Sequence, residues 1–178
     1  MSLPTVVSEH VLEYLTNAAN NAPKGAFVEV GVYKGGTASH LTAIAEEQGR
    51  KIYLYDTFEG IPYKDEDKGD YHDIADFSDV SLDVIREALP YATIVKGIFP
   101  GSAVPMEPIA FAHIDCDQYR SITESVRYLL PLMVDGGILW FDDAPDLLGA
   151  LNAVNDLFGE GNYTRCVSGK IYKVVGKA

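Results

Sequence analysis

Short apolar runs recur along this chain, and stretches of helical periodicity fill the gaps between them. Crossovers of that length join parallel strands, so the alternation predicts an α/β fold with a mainly parallel sheet. The strands expected are "AFVEV" (26–30), "KIYLYD" (51–56), "ATIVKG" (92–97), "IAFAHID" (109–115) and "GILWFDD" (137–143). The pattern then changes. "NYTRCV" (162–167) and "KIYKVV" (170–175) are separated only by Ser168 and Gly169, a spacing that suits a tight antiparallel hairpin. Helices are expected over 7–20, 36–48, 79–88, 120–133 and 147–158, with the fifth strand following the "DGG" turn at 135–137. Ser121 is the expected cap of the fourth helix, and Glu124 would complete a capping box.

A chain of 178 residues fits one domain, taken as 1–178, which at this size buries roughly 70% of its unfolded surface. Fourteen basic against 26 acidic side chains give a net charge of -12. Phosphate backbones and anionic membrane faces are therefore repelled, which argues against nucleic-acid and membrane partners. Two cysteines, Cys116 and Cys166, are too few for a disulfide scaffold, and "MSLPTVVSEHVLEYL" has neither a basic n-region nor a long apolar h-region. The expectation is a cytoplasmic protein, with room for a homo-oligomer.

Two buried-type strands end in paired aspartates: Asp115 and Asp117 in "AFAHIDCDQYRSI", Asp142 and Asp143 in "ILWFDDAP". Carboxylates at such tips are costly unless something pairs with them, and a cation or a ligand is one candidate. Capping of the turn at Pro145 and bonds to backbone are the alternative. A second signal is "FVEVGVYKGGTASHL" (27–41), a strand, a glycine turn and a helix start. A dinucleotide fold would carry G-x-G-x-x-G, whereas Gly31, Gly35 and Gly36 depart from that spacing. Glu29 in the strand end suits a cationic or hydroxyl-bearing ligand better than a pyrophosphate. Asp56, at the end of the second strand, stands where an acid commonly takes ribose hydroxyls, or else caps the turn. The acidic stretch "YKDEDKGDYHDIADFSD" (63–79) reads as a long solvated loop, because Gly69 is misplaced for a calcium loop starting at Asp65.

The segments "FVEVGVYKGGTA", "LYDTFEGIP", "KGIFP" and "HIDCDQYRSITESVRYLLPLMVDGGILWFDDA" together resemble, in order, the motifs of the class I S-adenosylmethionine-dependent O-methyltransferases. They are most similar to the macrocin and mycinamicin (TylF-like) type, which methylates sugar hydroxyls. The resemblance implies a Rossmann-like doubly wound sheet of seven strands, mainly parallel, with the C-terminal antiparallel hairpin strand. It implies S-adenosylmethionine held by Glu29, Gly31, Tyr33, Gly35, Gly36, Asp56, Phe58, Gly97 and Asp115. It also implies Mg²⁺ or another divalent cation on Asp115, Asp142 and Asp143, with Asp115 doubling as the catalytic base. Three such carboxylates would raise one another's pKa unless a hard cation held them ionised. The implied acceptor is a small hydroxylated molecule, a sugar or a sugar-bearing metabolite.

The remaining polar residues carry less. His113 is expected as a buried, hydrogen-bonded histidine and Cys116 and Cys166 as small buried thiols. Tyr119, Trp140 and Phe141 are expected in the core. A methyltransferase-like module that binds the cofactor without catalysis is the alternative to an enzyme, and a nicotinamide oxidoreductase is disfavoured by the glycine spacing.

Overall fold

The computed structural model describes residues 3–176; positions 1, 2, 177 and 178, the ends of the expected domain, lie outside the described residues. Seven strands form one sheet: β1 (Ala26–Val30), β2 (Ile52–Asp56), β3 (Thr93–Lys96), β4 (Ile109–Ile114), β5 (Met133–Phe141), β6 (Thr164–Arg165) and β7 (Ile171–Val174). Their order is β3-β2-β1-β4-β5-β7-β6. The first five strands run parallel, and β7 pairs antiparallel with both β5 and β6. The helices are α1 (Glu9–Asn20), α2 (Gly36–Glu47), α3 (Leu82–Ala88), α4 (Tyr119–Leu129) and α5 (Leu148–Phe158).

Two apolar layers sandwich the sheet, which is why β1 and β4 are buried at every position. Phe27, Leu54, Phe111 and Trp140 meet Leu15, Leu41, Ile44 and Ile85 of α1, α2 and α3. Val28, Tyr55, Ile114 and Phe141 meet Ile122, Val126, Ala153 and Val154 of α4 and α5. Each such side chain, taken fully out of water, contributes about 1.5–3 kcal/mol, so the central strands are the stiff part of the molecule. The chain enters β1 from one side and β4 from the other, and ligands of open α/β sheets bind at the carboxyl ends beside such a switch.

Three local expectations are corrected. β5 begins at Met133, not after the glycines: Ile109 pairs with Met133 and Phe111 with Ile138, so "VDG" bulges within the strand and Gly136 takes φ 76° there. The expected helix 120–133 ends at Leu129 and tightens into a 3₁₀ turn at Leu130–Leu132, where Pro131 lacks the N–H that a continuing helix needs. Ser121 does not cap α4. The N-cap is Gln118, without a side-chain cap bond, and Glu124 bonds Arg120 instead at 2.8 Å. The cap function passes to Asp70, whose Oδ1 accepts from Tyr119 N at 2.8 Å.

Candidate active site

A cavity of about 400 Å³ opens at the carboxyl ends of β1, β2, β4 and β5. Gly31, Tyr33, Asp56 and Gly97 line one half; Asp115, Asp142 and Asp143 line the other. Val6, Val7, Ser8 and Val11 close it from the amino-terminal side. Glu29, Gly35, Gly36 and Phe58 do not line it: Glu29 and Phe58 are buried behind it, and the two glycines face the amino-terminal segment. A Cβ on Gly36 would stand 2.5 Å from Thr5 Cα, so the small residue there serves the close approach of residues 3–5.

The glycine turn is held by Asp56. Its Oδ2 accepts from Val32 N (2.7 Å) and Tyr33 N (2.8 Å), and its Oδ1 accepts from Phe58 N (2.6 Å). One carboxylate thus ties the loops after β1 and β2 together. Gly31, at φ 92°, lets the β1 tip lie against β4: a Cβ there would fall 1.6 Å from the Asp115 carbonyl oxygen.

Behind the other half runs a chain of buried charges. Glu29 and His113 face each other across the β1–β4 register, 1% and 0% exposed, with Glu29 Oε1 2.9 Å from His113 Nδ1. His113 Nε2 stands 3.7 Å from Asp142 Oδ1, and Lys170 Nζ lies 3.5 Å from Asp142 Oδ2 and 2.9 Å from Asp146 Oδ2. Burial pulls the His113 imidazole down, but the nearby Asp142 carboxylate, the bond to Glu29 and the charge of Asp115 overcome that and raise its pKa well above the ordinary value. Burial pushes Glu29 up. Burial works the same way on Asp142, yet His113 and Lys170 together hold its carboxyl below the usual value.

For Asp115 and Asp143 the nearby cations do not outweigh burial and repulsion. Burial and then Asp142 and Asp143 push the Asp115 carboxyl well up; burial, Asp117 and Asp142 do the same to Asp143. Asp117, at φ 59°, is pushed up to about 7 by burial and by Asp142 and Asp56. Asp143 Oδ2 accepts from Asp117 N at 2.8 Å, so backbone bonding meets part of what these acids need but not their mutual repulsion. The three candidate ligands whose donor atoms all fall within 4.8 Å of one another are Glu29, His113 and Asp115, leaving Asp142 and Asp143 beside that set. Glu29 Oε2, His113 Nε2 and Asp142 Oδ1 are buried without a hydrogen-bond partner among the described residues. The carboxylates of Asp115, Asp142 and Asp143, all on the cavity wall, form an oxygen donor set of the kind that would suit a hard divalent cation.

Comparisons with known proteins identify the family and the fold. The model of the macrocin O-methyltransferase (TylF) family matches residues 7–164. The chain belongs to that family. Among curated proteins, a Streptomyces olivaceus 8-demethyl-8-(2,3-dimethoxy-alpha-L-rhamnosyl)-tetracenomycin-C 4'-O-methyltransferase is 26% identical over 148 residues, 72% of this chain and 56% of that protein. The chain therefore spans little more than half the length of that relative. Among solved structures, the O-methyltransferase NovP superposes with a TM-score of 0.82 at 22% identity, covering 97% of this chain and 82% of its own. The calicheamicin methyltransferase CalS11 gives a TM-score of 0.76 at 19% identity, covering 94% and 78%. Both share the Rossmann-like fold.

Lys170 and Asp70 hold parts of the structure that no local signal in the sequence marks. Lys170 lies just before β7 and reaches the site only because β7 pairs with β5, a long-range contact without a local signal. Asp70 is 7% exposed inside the otherwise exposed acidic loop and also accepts from Asp65 N at 2.8 Å, so the loop is anchored at its centre. His113 is buried and bonded as expected, and Trp140 and Phe141 are core residues. Tyr119 is only half-buried and bonds Asp156 at 2.7 Å. Cys116 and Cys166 are likewise half-buried rather than buried, since Cys116 lines the cavity and Cys166 sits in the β6–β7 turn.

Proposed function

We propose that this chain is an S-adenosylmethionine-dependent, divalent-cation-assisted O-methyltransferase acting on a hydroxyl of a sugar or sugar-bearing small molecule. The observation that carries this reading is the convergence of Asp115, Asp142 and Asp143 on one cavity, beside a glycine turn held by Asp56 at the switch of the sheet. Asp115, Asp142 and Asp143 would hold the cation; Gly31, Tyr33, Asp56 and Gly97 would line the cofactor's half. When bound, the sulfonium supplies the electrophilic methyl group and the cation lowers the pKa of the acceptor hydroxyl.

The chain's own residues account for the rest. Asp115 lines the cavity beside Asp142 and Asp143, so with its charge held by the cation it would be placed to take the acceptor proton. Asp142 is kept ionised by His113 and Lys170, so it remains an anionic ligand when its neighbours are protonated. Val6, Val7 and Val11 contribute apolar surface to the amino-terminal wall of the cavity.

Titration calorimetry with S-adenosylhomocysteine, with and without Mg²⁺, tests this reading. The expected result is a cofactor-product site in both conditions and a second, Mg²⁺-dependent heat that disappears in Asp142→Asn. Cofactor-product binding with no metal response in the parent chain would reduce the protein to the non-catalytic binding module.

A further inference from the structure

Phe141 pairs with Ile171 in the antiparallel β5–β7 register, so the next residues outward, Asp142 and Lys170, come face to face at the carboxyl end of β5. The hairpin turn fixes that position. Cys166 N donates to Lys170 O and Gly169 N to Cys166 O, both at 2.9 Å, with Gly169 at φ 92°. The Lys170 side chain is 15% exposed and, among the described residues, is the one cationic side chain lining the cavity. Its ammonium is shared. Asp142 Oδ2 lies 3.5 Å from Nζ and Asp146 Oδ2 lies 2.9 Å from it, and the two carboxylates differ in setting: Asp142 is buried, whereas the Asp146 side chain is 68% exposed on the rim. Burial pulls the ammonium down, but Asp142, Asp146 and Asp143 outweigh that and raise its pKa above the ordinary value.

We propose that Lys170 is a positioning residue that sets how tightly the divalent ion is held: it offsets the charge of Asp142 while the ion is away and is carried by Asp146 once the ion takes Asp142. The inference rests on the metal-assisted reading above. A hard ion about 2.0–2.1 Å from an Asp142 oxygen would stand within about 6 Å of the ammonium, and the two positive centres repel unless the ammonium has another anion to lean on. Asp146 supplies that anion. Because it lies at the solvent edge, its own charge is screened and reaches the ion only weakly, so its influence on the ion passes through Lys170. A buried ion pair is weak evidence for a role in stability, whereas a lysine shared between a proposed metal ligand and a rim acid bears directly on metal affinity.

The test is a double-mutant cycle on the full chain, read by calorimetric titration of Mg²⁺ into protein already loaded with S-adenosylhomocysteine. Lys170→Met, which keeps the apolar stem and removes the charge, should tighten Mg²⁺ about tenfold. Asp146→Asn should weaken it about tenfold in the parent, since the ammonium then leans on Asp142 alone, and should change it less than about twofold when Lys170→Met is already present. Lys170→Arg, whose guanidinium can span both carboxylates, should stay within about threefold of the parent. A merely structural pair would shift the thermal midpoints of these chains and leave their Mg²⁺ dissociation constants equal. Equal constants, or an Asp146→Asn effect that persists undiminished without the lysine, would overturn the proposal while the metal reading stands. A parent chain that gives the S-adenosylhomocysteine heat and no Mg²⁺ heat would overturn the metal reading and this proposal together, so the two failures are told apart in one set of titrations.

Discussion

The two halves of the cavity treat their carboxylates in opposite ways. At the tips of β1 and β2, Asp56 is met by three backbone N–H groups. At the tips of β4 and β5, Asp115, Asp117 and Asp143 face one another, and burial and repulsion raise all three. The first half is complete as folded and acts as a scaffold. The second half carries uncompensated charge, which is the condition in which a site gains from a cation. Stability and function are therefore aligned at one end of the cavity and opposed at the other.

The junction between the halves should be the most sensitive point. Gly31→Ala places a Cβ in overlap with the Asp115 carbonyl at a positive φ, so β1 and β4 must separate locally. The expected cost is about 3 kcal/mol or more, read as a fall in the urea midpoint. A variant within about 0.5 kcal/mol of the parent would show that the strand tips adjust freely and that the two halves are not rigidly joined.

Next comes the scaffold itself. Asp56→Ala leaves three backbone donors without their acceptor and should cost about 1–3 kcal/mol, together with a ten- to roughly hundredfold loss of S-adenosylhomocysteine affinity. Measured together by unfolding and calorimetry, the two effects separate the roles of this acid. Lost stability with unchanged affinity would assign Asp56 to the turn alone.

That ambiguity shows what was and was not legible in the sequence. The strands and the glycine turn were readable because apolar periodicity and glycine placement are local signals, and Asp56 could be placed at the end of β2 by counting. What it bonds could not, since Val32 and Tyr33 lie 24 and 23 residues away. The cap of α4 failed for the same reason. Ser121 and Glu124 have the right spacing, but Asp70, 49 residues distant in sequence, reaches Tyr119 N first. Lys170 and the Glu29–His113–Asp142 chain likewise exist only through strand order. Local chemistry located the acids; only the topology reveals which of them are satisfied.

The pH response should distinguish the halves without mutation. A carboxyl whose folded pKa lies above its unfolded value stabilises the fold below the unfolded pKa, and that contribution is lost as pH rises through the folded one. Asp117, held at about 7, and the raised Asp115 and Asp143 all act in this direction. The metal-free chain should therefore lose thermal stability as pH climbs from about 4 through 7. Mg²⁺ should restore more at the upper end of that range than at the lower, because the ion competes with protons for the same oxygens. A metal-free midpoint that rises steadily over this interval would mean the β4–β5 carboxylates are compensated from within the protein.

The smallest expected change is the most pointed. Asp143→Asn keeps the shape and an oxygen that can accept from Asp117 N, while it removes one of the repelling charges. In the metal-free chain, at a pH high enough to ionise Asp143, it should stabilise the fold by about 1 kcal/mol, a shift of a few degrees in the thermal midpoint. The same change removes one of the proposed anionic ligands, so any rise in midpoint that Mg²⁺ gives the parent should disappear. Gain without metal and loss of the metal response must appear in one variant, because both follow from the same charge. Destabilisation of the metal-free chain would place Asp143 with Asp56, as a structural acid, and would remove the basis for contrasting the two halves.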